Sequence, residues 1–151
     1  MPAFSQTHET TIDAPAATVH GLVSDFHEWI HWSPWEGLDP DLERTYDGAG
    51  VGASYQWSGN KQAGEGRMTF TSITPEQVVV DLEFLKPFKA QNVVTFDLTA
   101  DGDRTRVAWT MSGRRNLLFA VMGRLFFDKA IGKDFDKGLA SLRSVAEAKQ
   151  A

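Results

Sequence analysis

Between residues 41 and 113 apolar and polar side chains alternate with a period of two, interrupted at short intervals by turn residues. The segments YDGAGVG, SGNKQAGEG, TPEQ, KPFKA and DGDRT separate six runs: near 42–47, 52–58 and 66–73, then VVVDLEFL, NVVTFDLTA and RVAWTMSG. Short strands joined by such turns predict an antiparallel meander. Tyr55/Trp57, Met68/Phe70, Val78/Val80/Leu82/Phe84, Val94/Phe96/Leu98 and Val107/Trp109/Met111 each share one face of their strand. Gln56, Arg67, Asp81, Glu83, Asp97 and Arg106 take the other face. One side of the sheet is therefore wet, and the other needs a cover.

Residues 4 to 12 alternate more loosely and predict a first strand. In DAPAATVHGLVSD, Pro15 suits a first helical turn, and Val19, Leu22, Val23 and Phe26 recur at helical spacing. A second short helix starts near Asp25 and must stop before Pro34. From about Asn116 the period becomes helical again, through Leu118, Met122, Leu125, Phe135, Leu139, Leu142 and Ala146, with Gly123 and Gly132 as points where the helix loosens or kinks. The predicted class is α+β: one strand, two short helices, six strands and a long C-terminal helix. A single twisted sheet of this length curls around its covering helix, and the short helices plug one end. A cavity remains wherever the inward side chains do not fill the space between.

With 151 residues and no linker or repeat, the chain reads as a single domain over residues 1–151. A net charge of −5 is the wrong sign for a nucleic-acid binder, whose affinity comes largely from neutralising phosphates. The absence of cysteine excludes disulfides, thiolate metal sites and a cysteine nucleophile. MPAFSQTHET has no signal-peptide pattern, and the most apolar run, LLFAVMGRLFF, is broken by Arg124 and too short to cross a bilayer. A cytoplasmic protein without an integral membrane segment is the expectation.

The stretches IDAPAATVHGLVSDFHEWIHWSPW, YQWSGNKQAGEGRMTF, TRVAWTMSG and FFDKAIGKDFDKGLASL, in this order, resemble the START-like or SRPBCC superfamily of helix-grip proteins, and within it the polyketide cyclase/dehydrase-like group. The resemblance implies a seven-stranded curved antiparallel sheet wrapped around the long C-terminal helix. It does not imply one activity, because this fold carries lipids, binds hormones, closes polyketide rings and assists chaperones.

FHEWIHW contains a literal HExxH, with His27, Glu28 and His31. On an α-helix the two histidines share a face, as a zinc protease requires. The helix has only about two turns before Pro34, however, and the positions where a metzincin would carry Gly and His hold Pro34 and Gly37. The resemblance also puts this helix at the sheet edge, beside solvent. No metal site and no cofactor are expected. GAGVG, residues 48–52, lies between strands rather than before a helix and reads as a hairpin turn, not a phosphate loop. Glu65 and Arg67 read as a solvated ladder pair, and DKAIGKDFDK as a solvent face of the long helix.

Trp29, Trp32 and Trp35 cluster near the expected cavity mouth, where aromatics either pack or line a site. Expected lining residues are Trp35, Tyr55, Trp57, Phe70 and Phe84, together with Phe96, Trp109, Met122 and Phe126. His8 shares the parity of Ile12, so it faces inward and is a candidate acid or base, although spacing assigns it no carboxylate partner. Tyr55 is the other candidate for moving protons. Leu117, Phe119 and Phe127 extend the apolar surface beyond one stripe and suit a ligand gate, a homodimer surface or a partner.

The leading functional expectation is binding of a small hydrophobic molecule, aromatic, polyketide-like or lipid-like, between sheet and helix. Apolar burial would supply affinity at about 25 cal/mol per Å2, and a few polar tips would set orientation. A cyclase or dehydratase using His8 or Tyr55 is the second reading, and the sequence leaves turnover open. A protein-interaction module of the chaperone-activator type is the third.

Overall fold

Strand β1, Ala3–Ile12, is followed by helix α1, Ala16–Val23, and a 3-10 helix, Phe26–His31. Six strands come next: β2 Glu43–Asp47, β3 Ser54–Ser58, β4 Glu65–Thr74, β5 Gln77–Lys86, β6 Ala90–Asp101 and β7 Arg104–Arg114. Helix α2, Arg124–Ala148, closes the chain. The computed structural model describes residues 3–34, 39–60, 64–86, 89–114 and 124–149, with side chains described except at 3, 4, 114 and 124–131. The expected start of the long helix near Asn116 lies outside the described residues, as does Gly123.

All pairings are antiparallel, in the order β1-β7-β6-β5-β4-β3-β2, so the first strand closes back onto the last. β4 carries two register shifts, at Glu65/Gly66 and Phe70/Ser72, and such bulges bend a strand and increase its twist. The sheet is curved, and the inward-facing apolar stripes form one core with Val19, Leu22 and Val23 of α1, Phe26, Trp29 and Trp32, and Phe135, Leu139, Leu142 and Ala146 of α2.

The 3-10 helix is held by its own sequence. The Asp25 carboxylate accepts from the His27 backbone N–H, at 2.9 Å, and caps the N-terminus. The indole N–H groups of Trp29 and Trp32 donate to the carbonyls of Val23 and Leu22, at 3.0 and 2.8 Å. These carbonyls end α1 and have no partner within it. Two fully buried tryptophans thus weld the short helices into one plug. Both therefore belong to the packing rather than to a cavity mouth, and Trp35 lies outside the described residues.

Gly138 allows α2 to come close to the sheet. A Cβ built there would lie 2.6 Å from Trp109 Cζ3 and 2.9 Å from Pro34 Cδ. Glu65 and Arg67 do not pair with each other. Arg67 meets Glu83 across the strands at 3.2 Å and Glu65 meets Lys86 at 3.6 Å, because cross-strand neighbours stand closer than residues two apart on one strand.

Candidate functional site

The inward face of the sheet is organised in cross-strand rows. At the end containing the β3 and β5 termini, one row runs Trp57, Gly66, Phe84, Ala90. The next runs Tyr55, Met68, Leu82, Asn92, Gly113, and the third runs Phe70, Val80, Val94, Met111, Gln6. The fourth contains Val78, Phe96, Trp109 and His8.

The third and fourth rows are packed. Phe26 stacks on Phe70 at 3.9 Å between centroids, and Phe135 stacks on Trp109 at 4.4 Å. Trp29 and Trp32 meet Phe96 edge-on, and Trp32 meets Trp109 edge-on. Phe70, Phe96 and Trp109, expected to line a cavity, thus have ring faces and edges occupied by other core side chains. The sequence shows their inward parity but not which residues of the plug and helix land on them.

The first two rows differ. Trp57 and Phe84 face inward yet remain only half-buried, and they meet edge-to-face at 6.0 Å. The Trp57 indole lies over Gly66, where a Cβ would stand 2.4 Å from Cη2, so only glycine gives it that seat. Tyr55 is buried between Trp57 and Phe26, at 6.2 and 5.9 Å between centroids. Met122 lies outside the described residues, and the side chain of Phe126 is not described.

A second glycine seat lies in the neighbouring row. Asn92 is 5% exposed, on the inward face with Val94, Phe96 and Leu98, and its amide lies against Gly113, where a Cβ would come within 2.4 Å of Oδ1. Its Nδ2 is buried and has no hydrogen-bond partner among the described residues. Sequence reasoning missed this residue, although a polar side chain at the start of an otherwise apolar inward stripe was a visible signal.

His8 faces inward at the opposite side of the sheet. Its Nδ1 is 2.8 Å from Asp136 Oδ1, its Nε2 is 2.7 Å from Gln6 Oε1, and its ring meets the edge of Phe135 at 5.7 Å. Asp136, in a stretch expected to be a plain solvent face, supplies the carboxylate that spacing did not assign. Tyr55 lies five strands away, about 24 Å along the sheet at ~4.8 Å per strand. His8 and Tyr55 thus sit on strands toward opposite sides of the sheet.

The HExxH string is not built as a metal site. In a 3-10 helix residues three apart eclipse, so positions 27 and 31 diverge by about 120°. Accordingly His31 lies 3.6 Å from Glu28, while His27 bonds Asp25 at 3.1 Å and stacks on Tyr46 at 4.2 Å. Among the described residues no three His, Asp or Glu side chains are grouped to hold a metal ion. Nor is any helix among them long and apolar enough to cross a membrane.

The sequence model of a family described as polyketide cyclase / dehydrase and lipid transport matches residues 3–147. A solved protein from Nitrosospira multiformis is similar over 95% of this chain and 96% of its own, at 21% identity and a TM-score of 0.68. Norcoclaurine synthase of Thalictrum flavum, solved as a point mutant with a transition-state analogue, is similar over 99% of this chain and 98% of its own, at 11% identity and a TM-score of 0.76. The di-domain aromatase/cyclase BexL of the BE-7585A biosynthetic pathway is similar over 96% of this chain and 50% of its own, at 16% identity and a TM-score of 0.74. At these identities the likeness is one of fold. Among curated proteins none matches the sequence.

Proposed function

The chain belongs to the polyketide cyclase / dehydrase and lipid transport family, and from that premise we propose that it holds a small hydrophobic molecule, aromatic, polyketide-like or lipid-like, within one domain spanning residues 1–151. The ligand lies at the Trp57–Phe84 end of the inward sheet face. One observation carries this reading: Trp57 and Phe84 face the interior and stay half-buried at this end of the sheet, while the third and fourth rows are packed ring against ring among the described residues. Aromatic surface held in place by a glycine seat is pre-organised for binding, which lowers the ordering cost of association. The net charge of −5 favours a neutral apolar ligand over nucleic acid.

Titration with the fluorescent probe 1-anilinonaphthalene-8-sulfonate, followed by displacement with fatty acids and polycyclic phenols, tests the proposal. The probe binds the wild type, members of one ligand series displace it, and Trp57→Ala and Phe84→Ala each weaken both effects. Equal binding by wild type and both variants would place the ligand elsewhere and defeat the assignment. Native mass spectrometry of the freshly purified chain reports any molecule that co-purifies.

A further inference from the structure

Asn92 is an anomaly of the sheet. It occupies an inward position flanked on the same face by Leu82, Val94 and Met111, it is 95% removed from solvent, and its Nδ2 has no partner among the described residues. An amide N–H group buried without a hydrogen bond destabilises a fold, and apolar side chains of similar size suit such a position better. The seat at Gly113 shows that the orientation is built: any larger residue there would displace the amide. Asn92 also adjoins the Trp57–Phe84 row, since Leu82 is its cross-strand partner and Phe84 its diagonal neighbour on the same face. A stability cost retained beside a binding face is the pattern of a functional group.

We propose that Asn92 is the polar anchor of the ligand site, its Nδ2 donating a hydrogen bond to a carbonyl-type oxygen of the bound molecule. The ligand class is thereby narrowed to apolar bodies, aromatic or chain-like, that carry a ketone, ester or amide oxygen beside the part resting on Trp57 and Phe84. This rests on the hydrophobic-ligand reading above and adds the functional group that sets orientation. An ionised acceptor would have to be desolvated here with only a neutral amide to meet it, which favours a neutral oxygen, and a pure hydrocarbon would leave Nδ2 unpaired in the complex as well.

Matched probes separate the two claims. 2-Acetylnaphthalene and 2-ethylnaphthalene, and likewise 2-tridecanone and tridecane, differ essentially in the carbonyl. With affinities corrected for each probe's water-to-alkane partitioning, which removes the ketone's desolvation cost, the wild type prefers the ketone by at least about tenfold. Asn92→Leu abolishes that preference while still binding both members, and its ligand-free thermal midpoint is raised. In the wild type, the Asn92 side-chain amide proton resonance moves downfield with the ketone and not with the hydrocarbon. Binding of both members with no ketone preference, or a preference that survives in Asn92→Leu, overturns the anchor and leaves the hydrophobic site standing. A lowered ligand-free midpoint in Asn92→Leu also overturns the anchor, because the amide would then be serving the fold. Binding of neither member by the wild type overturns both.

Discussion

Phe135 of α2 lies flat on Trp109 of β7, with ring centroids 4.4 Å apart and planes 11° from parallel. The contact fixes where the interior is solid. Trp109 touches Phe96 and Trp32 with its remaining surface, so helix, sheet and plug meet at one buried indole. The ligand site proposed above lies away from it, toward the Trp57–Phe84 end.

This division predicts opposite profiles for two aromatic truncations. Phe135→Ala removes a fully buried ring and its stack, and it costs about 3–5 kcal/mol of stability, with little direct effect on probe affinity in molecules that remain folded. Trp57→Ala removes a half-buried ring, costs less, and lowers affinity. Urea unfolding alongside probe titration checks the pair; equal stability losses would show that the two ends of the interior are equally packed.

Two glycines in helices give the same substitution opposite signs. A Cβ at Gly21 meets nothing within 4 Å, so Gly21→Ala gains helix propensity and stabilises by about 0.5–1 kcal/mol. At Gly138 that gain is outweighed, because the new methyl enters Trp109 and Pro34, and overpacking costs about 1–3 kcal/mol. Thermal midpoints of the two variants, measured in one buffer, should move in opposite directions.

Much of the fold was legible because alternation reports which face a side chain takes. It predicted all seven strands and the inward position of Tyr55, Phe84 and Trp109. Parity along one strand says nothing about the element landing on top. Phe70, Phe96 and Trp109 therefore looked equivalent to Trp57 and Phe84 until Phe26, Phe135 and the two plug tryptophans were placed. Asn92 could be read as inward from its spacing to Val94, but its lack of a partner is a three-dimensional property. Only the helix type of the HExxH segment differed from the expectation, for a local reason: the histidines were placed on α geometry, where they share a face, and the segment is a 3-10 helix.

That helix type yields a prediction about metal. Since His27 and His31 point apart, His27 bonded to Asp25 and His31 lying 3.6 Å from Glu28, the string lacks even two converging imidazoles. Zinc added to the wild type should raise the thermal midpoint no more than it does for the His27→Ala, His31→Ala double variant. A zinc-dependent increase confined to the wild type would mean that the segment can rearrange into a ligating α-turn.

At the far end of the molecule, the carboxylate of Glu147 fastens the last turns of α2 to the end of β1. Its Oε2 accepts from the Asp13 backbone N–H at 2.9 Å and from Arg143 Nε at 3.0 Å. The backbone bond from Asp13, then the bond from Arg143, hold its pKa below the usual 4.5, because both stabilise the charged form. A folded-state pKa below the unfolded one contributes stability that is fully present above the unfolded value and disappears as pH falls through the folded value. Glu147→Gln should therefore melt below the wild type at pH 7. That gap should close as the pH is lowered past the ordinary glutamate range, where the wild-type carboxyl is itself neutral. A gap of constant size from pH 7 to pH 3 would show that the side chain acts through its shape and not its charge.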